Sequence, residues 1–163
     1  MVNRFALFIL ALALNFSVHG QVNYHVHQKV LENNIVDSLF IFGKWTKSGD
    51  TETHIKYLGK VKTSAGRVLK IMNSCWFWGL SHRATSRILI YNDKNQYLGN
   101  YYLTMINDLP YKLDKGRLFF SNEGNKDCDK KIITSIDFSK GIPKTIFLKC
   151  DSHRGDIYTF SSE

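Results

Sequence analysis

The sequence of 163 residues lacks the short motifs by which many enzymes are identified. It contains no Gly-x-Ser-x-Gly nucleophile elbow, no phosphate-binding glycine loop and no His-Glu-x-x-His zinc motif. An enzyme whose site is assembled from scattered residues leaves no such spacing pattern, so it remains the alternative to a non-enzymatic protein.

The sequence also lacks an apolar run long enough to cross a bilayer, which takes about 20 residues. Its unbroken apolar run covers only residues 5–14, after Arg4 and shortly before Val18-His19-Gly20. A basic residue, a short apolar run and a small residue at the cleavage position are the layout of a secretory signal peptide. We predict that residues 1–20 are this peptide. The mature protein is then secreted or periplasmic, with no stable membrane insertion.

Alternation of apolar and polar residues dominates the chain after residue 21 and is typical of half-buried antiparallel strands. The central part, rich in β-branched and aromatic residues, predicts three consecutive strands at residues 67–78, 87–91 and 97–105. Further strands are predicted at residues 22–26, 36–42, 55–61, 117–121, 132–138, 145–150 and 156–160. A short helix beginning within residues 26–33 is the alternative to the first of these strands, and residues 107–116 are predicted to be a connection.

No composition shift, low-complexity segment or linker divides residues 21–163. We therefore predict one all-β domain over residues 21–163, a single antiparallel β-sandwich of about ten short strands. A small β-barrel, lipocalin-like in size, is the alternative architecture.

Three cysteines in an exported chain leave one without a partner. Cys75 would share a strand face with Leu69 and Phe77, so we predict that it is a buried thiol. Cys128 and Cys150 are then the predicted disulfide.

The formal net charge is +8, and loss of Arg4 with the signal peptide leaves +7. The basic residues are dispersed, which is typical of a solvated face and argues against nucleic acid as the partner. The same charge would attract an acidic polysaccharide or phospholipid head groups. Oligomeric state cannot be inferred from this pattern.

Candidate metal and nucleophile patterns are incomplete. His25 and His27 would supply two imidazoles from one strand, but a zinc site needs at least three protein ligands. Residues 122–129 lack the ordered ligands of a calcium loop. Burial of Cys75 would raise its pKa, so we do not expect Cys75 to act as a nucleophile activated by a base such as His82. We predict no metal site, no cofactor and no catalytic residue.

The pattern with most functional promise is Trp76-x-Trp78. On a strand these indoles project to one side, and basic and hydrogen-bonding residues follow closely, at His82, Arg83 and Arg87. Exposed aromatic side chains flanked by hydrogen-bond donors are suited to flat or cationic ligands and to sugars. These five residues are the predicted ligand-binding set. The alternative is that both indoles are part of the core.

Together these features predict a secreted, non-enzymatic binding module for a carbohydrate or an extracellular protein. An extracellular inhibitor belongs to the same class. The alternative is an exported enzyme, for instance a hydrolase, with a scattered site.

Overall fold

The computed structural model describes residues 21–162, with side chains from His25 onward. The predicted signal peptide, residues 1–20, lies outside the described residues.

The described chain begins with one helix and continues as ten strands. The helix α1 spans Gln21–Asn33, and a short 3-10 helix spans Ile106–Asp108. The strands are β1 (Leu39–Gly43), β2 (Glu52–Lys62), β3 (Val68–Trp78), β4 (Arg83–Asn92), β5 (Tyr97–Leu103), β6 (Lys112–Asp114), β7 (Arg117–Ser121), β8 (Ile133–Asp137), β9 (Thr145–Lys149) and β10 (Gly155–Ser161).

The strands form two antiparallel sheets. The larger sheet has the order β1-β2-β3-β4-β5-β10-β9, and the smaller has the order β6-β7-β8. Among the described residues β1 and β9 are the two edges of the larger sheet, so it does not close on itself. The prediction of an all-β sandwich is confirmed, and the barrel alternative is not what the chain forms.

The core lies between the two sheets. Leu69 and Ile71 of β3 and Ile88 of β4 are buried against Leu118 and Phe120 of β7. We call the side of the larger sheet that meets the smaller sheet the inner face, and the opposite side the outer face. Burial of this aliphatic and aromatic surface on the inner face is the main source of stability for the sandwich.

Helix α1 packs on the outer face and makes a second, smaller core. Its Val30 and Leu31 are buried against Tyr57, Met72 and other residues of β2–β4. The strand predicted at residues 22–26 is therefore wrong, and the helical alternative is the better description. The cause is an ambiguous pattern, because valines four residues apart fit a helix face as well as a strand face.

One detail of the sequence predictions differs from the structure in the connection after β5. Residues 107–116 were predicted to be a connection, but they contain the three-residue strand β6. Its pairing with β7 completes the smaller sheet, and three residues are too few to show a period.

The predicted disulfide between Cys128 and Cys150 is formed, and Cys75 is a buried free thiol. Within residues 21–162, no helix is long and apolar enough to span a bilayer.

Candidate functional site

Four of the five predicted site residues lie on the outer face, at one end of the β3–β4 hairpin. The register pairs Trp78 with Arg83, Trp76 with Thr85 and Ser74 with Arg87. Directly paired residues of an antiparallel ladder point to the same face. The hairpin therefore brings two indoles and two guanidinium groups together, although the residues are up to eleven positions apart in sequence.

The two indoles stack on each other. The ring centroids of Trp76 and Trp78 are 5.6 Å apart, with an angle of 21° between the ring planes. Trp78 Nε1 donates a hydrogen bond of 3.0 Å to Thr85 Oγ1 on the neighbouring strand. Both indoles are half-buried, so they are neither pure core nor fully solvated. The hydrogen bond and the stacking fix the ring orientation before any ligand binds.

Each arginine lies over an aromatic ring. The guanidinium carbon of Arg83 is 5.6 Å from the ring centroid of Trp78. That of Arg87 is 5.7 Å from the ring centroid of Tyr102, which β5 places directly opposite Arg87. Both arginines and Tyr102 are exposed. Cation–π contact of this kind restrains a long side chain while its N–H groups remain available to solvent or a ligand.

Tyr102 is a member of this group that the sequence analysis missed. Its position in a strand was predicted, but its neighbour was not. The sequence feature that could have identified Tyr102 is its position next to Tyr101, because neighbouring residues of a strand point to opposite faces. Tyr101 is buried on the inner face, while Tyr102 is 56% exposed.

The strand positions of the outer face carry charge of one sign only. The positions of the seven strands that share this face contain no aspartate or glutamate, as the strand registers show. They contain six basic residues, Lys60, Lys62, Lys70, Arg83, Arg87 and Lys149. Arg83 and Arg87 lie beside the indoles, whereas Lys60, Lys62 and Lys70 lie towards the other end of β2 and β3 and Lys149 lies on the edge strand β9. The strands of this face supply no carboxylate to neutralise the two arginines.

Helix α1 covers the part of the outer face next to the indoles. His27 Nε2 lies 3.2 Å from Ser74 Oγ, and Ser74 is two residues before Trp76 on β3. Burial, and then the charge of Arg87, lower the pKa of His27 to about 4. His27 is therefore neutral at neutral pH, and it adds a polar contact without adding charge.

His82, the fifth predicted residue, lies on the other side of the sheet. It follows Gly79 in a four-residue turn and has a φ of 52°, which directs it away from Arg83. Its ring centroid is 4.2 Å from that of Trp45 and 4.9 Å from that of Phe77. The structure therefore does not bring His82 together with the indoles of Trp76 and Trp78.

A second polar group lies beside His82 on the inner face. His54 stacks edge-on against Phe77, with ring centroids 4.8 Å apart, and its Nε2 is hydrogen-bonded to the Glu52 carboxylate. That bond, followed by the backbone N–H of Trp45, lowers the pKa of Glu52. Within residues 21–162, no three His, Cys, Asp or Glu side chains come close enough to hold a metal ion.

The pair Cys75 and His82 does not form a nucleophile and base. Burial raises the pKa of Cys75, and the Ser86 hydroxyl donates to its sulfur at 3.8 Å. The contacts of His82 are instead with the rings of Trp45 and Phe77. A thiol held neutral in an apolar site is a poor nucleophile.

A histidine and a carboxylate also occur together in a groove beside the disulfide. The groove is lined by Phe147, Cys150, His153, Arg154, Gly155 and Asp156, and it is wide open to solvent. His153 and Asp156 are both exposed. Catalytic acids and bases are usually placed where water is excluded, so this groove does not have the form of an active site.

Comparison of the chain with protein-family models, with curated proteins and with solved structures finds no match. The chemistry of the outer face is therefore the basis for a functional proposal. Aromatic surface, fixed guanidinium groups and an excess of positive charge suit a ligand that combines flat apolar patches with negative charge.

Proposed function

We propose that the chain is an exported, non-enzymatic binding module that holds an acidic carbohydrate on its outer face. One observation carries the proposal: the stacked indoles of Trp76 and Trp78 adjoin Arg83, Arg87 and Tyr102 on a sheet face without carboxylates.

Carbohydrate is favoured by the aromatic side chains. The faces of pyranose rings are formed by C–H groups and pack against aromatic rings, and the surrounding hydroxyls need hydrogen-bond partners. Trp76, Trp78 and Tyr102 supply ring surface, and the two arginines supply donors at their edges. The shallow outer face suits an extended polymer better than a small molecule, which is usually enclosed in a pocket.

Acidic groups on that carbohydrate are favoured by the arginines. A guanidinium presents paired N–H donors that match a carboxylate or a sulfate, and such charge-assisted bonds are stronger than neutral ones. No strand position on the outer face is an aspartate or glutamate, and within residues 21–162 no ion pair involves Arg83 or Arg87, so a ligand would supply the counter-charge.

Export is supported by the disulfide, because disulfides persist in oxidising compartments such as the periplasm and the extracellular space. The predicted cleavage before Gln21 gives a direct test. Mass spectrometry of the exported protein should find Gln21, or its cyclised form, at the N-terminus. Secreted material that retains Met1 would contradict the proposed signal peptide.

Ligand binding is tested by isothermal titration of the exported protein with three polysaccharides: one sulfated, one rich in uronic acid and one neutral. We expect binding to at least one acidic polymer, with affinity that falls as salt is raised, and weaker binding to the neutral polymer. The double variant Arg83→Gln with Arg87→Gln should weaken binding at least tenfold.

The double variant Arg67→Gln with Lys115→Gln is the matched control, since it also removes two exposed positive charges, from turns away from the outer-face group. It should change the affinity less than twofold. Equal losses in the two variants would show that only net charge matters. Binding to no carbohydrate, with capture of an extracellular protein that depends on Arg83 and Arg87, would replace the proposal by its protein-partner alternative.

A further inference from the structure

Edge strand β1 differs from the other sheet edges in having no charged residue. Its sequence is Leu-Phe-Ile-Phe-Gly. The edge strands β6, β8 and β9 contain Lys112 and Asp114, Asp137, and Lys149 respectively. Charges on edge strands normally prevent edge-to-edge pairing, so β1 lacks the protection that the other edges have.

Within residues 21–162, β1 has a hydrogen-bonded partner on one side only, where it pairs with β2 from Leu39 to Gly43. The outward-pointing half of its backbone N–H and C=O groups therefore forms a free pairing edge.

The side chains of this edge are also apolar and exposed. Leu39 and Ile41 point to the inner face and are 58% and 55% exposed, and Val36 just before the strand is 50% exposed. Phe40 and Phe42 point to the outer face and are half-buried. A free backbone edge bordered by exposed aliphatic side chains is a surface on which a further strand can dock.

We propose that β1 pairs antiparallel with β1 of a second copy of this chain, about a two-fold axis at Ile41. This register places Ile41 opposite Ile41 of the second copy and Phe40 opposite Phe42. The pairing is self-complementary, as a two-fold interface requires. On one face isoleucine meets isoleucine, and on the other face phenylalanine meets phenylalanine.

Charge complementarity selects the second copy and the antiparallel direction. Asp37 precedes the strand; its carboxylate pairs with Lys56 Nζ of the same chain at 3.2 Å, and with 55% of the side chain exposed it can also face a second cation. Lys44 follows the strand in an exposed position. An antiparallel pair puts the acidic end of each strand beside the basic end of the other. A parallel pair would instead put Lys44 beside Lys44. The two attractive contacts act against the repulsion expected between two positively charged molecules.

The dimer has a consequence that rests on the proposed function. A two-fold axis perpendicular to the sheet makes one fourteen-stranded sheet and keeps both outer faces on one side. Five strand spacings separate the two β3 strands, which places the two Trp76 groups roughly 25 Å apart. Two such sites on one side can bind a single polymer together, so dimerisation would raise the apparent affinity for a polysaccharide but not for a short oligosaccharide.

Sedimentation velocity of the exported protein over a concentration series, without ligand, tests the dimer independently of its function. We expect a monomer–dimer equilibrium in the micromolar range. Ile41→Lys should weaken it at least tenfold by burying a charge at the two-fold axis. Ile133→Lys is the control, because Ile133 is 58% exposed on β8, an edge of the smaller sheet, and its replacement should leave the equilibrium unchanged.

A cross-linking experiment tests the register and remains decisive if Ile41→Lys fails to fold. Facing residues of an antiparallel pair have Cα atoms about 4.5 to 5.5 Å apart, within the range that a disulfide can bridge. Ile41→Cys should therefore give a covalent dimer under mild oxidation, and Ile133→Cys should not. A wild-type monomer at millimolar concentration, a dimer that Ile41→Lys leaves intact, or equal cross-linking of the two cysteine variants would each overturn the proposal.

Discussion

Replacement of Trp78 by alanine should separate binding from folding, because this side chain is held by the fold but only half-buried. It stacks on Trp76, donates to Thr85 and supports Arg83. Its removal takes away a ring of the proposed ligand face and releases two other members of that face. We therefore expect Trp78→Ala to remain folded and to lose at least tenfold in affinity for the acidic polysaccharide.

The cost in stability follows from the burial of Trp78. Truncation of a fully buried tryptophan costs about 3 to 5 kcal/mol, so a half-buried one should cost roughly half of that. Loss of the hydrogen bond to Thr85 adds about 1 kcal/mol. The total of about 3 kcal/mol is less than the 5 to 15 kcal/mol that stabilises an ordinary domain, and it should lower Tm by about 10 °C.

Trp45→Ala is a matched control, because Trp45 is also half-buried and its Nε1 donates a bond of 2.8 Å to the Gly79 carbonyl. Trp45 lies with His82 away from the outer face. The two variants should have a similar loss of Tm by differential scanning calorimetry, while only Trp78→Ala loses affinity by titration calorimetry. Complete unfolding of Trp78→Ala would show that Trp78 belongs to the core and not to a ligand-binding surface. A folded Trp78→Ala variant that binds like wild type, or equal losses of affinity in the two variants, would show that the indoles do not contact the ligand.

Three further predictions concern stability and the reactivity of Cys75. The folded-state pKa of His27 is about 4 and its ordinary value is 6.5, so the unfolded chain takes up a proton first as the pH falls. Stability should therefore decline between about pH 6.5 and 4, by up to about 3 kcal/mol, and His27→Gln should flatten this part of a urea-denaturation series. A pH series that is unchanged by His27→Gln would contradict the account of His27 burial beside Arg87. Serine at both Cys128 and Cys150 opens a loop of 22 residues and should cost on the order of 3 kcal/mol, while Cys75 should remain unreactive towards a thiol reagent until the protein unfolds. Labelling of native Cys75, or unchanged stability of the serine variant, would contradict these expectations.

Alternation along β3 was sufficient to predict the two sides of this strand. A period of two places Trp76 and Trp78 on the same face as Ser74, and Cys75 on the same face as Phe77. The pairing of β3 with β2 and β4 puts these two sets on opposite faces of the sheet. The information is local, because each residue's side depends only on its own parity in the strand. The disulfide was predictable for a similar reason: with Cys75 in an apolar run, only one pair of cysteines remained.

Contacts between strands could not be predicted in this way. Tyr102 meets Arg87 because β5 pairs with β4 in one particular register, which the sequence of either strand alone does not contain. His82 follows Trp78 closely in sequence, but a turn with positive φ sends it to the opposite side. Parity holds within a strand and is lost at a turn, so residues beyond position 78 could not be assigned a face in advance.

Within residues 21–162, part of the outer face is uncovered because one helix is too small to cover it. Helix α1 has 13 residues and is therefore about 20 Å long and 10 Å across. Seven strands at about 4.8 Å spacing make a sheet about 29 Å wide, and β2 and β3 are each 11 residues long. The inner face is covered by a second sheet, whereas the helix leaves the end that carries Trp76 and Trp78 uncovered. Aromatic surface that only needed burial would have been better placed between the sheets. Its position at the uncovered end, with arginines instead of further apolar residues around it, is the physical reason to regard this end as a binding face.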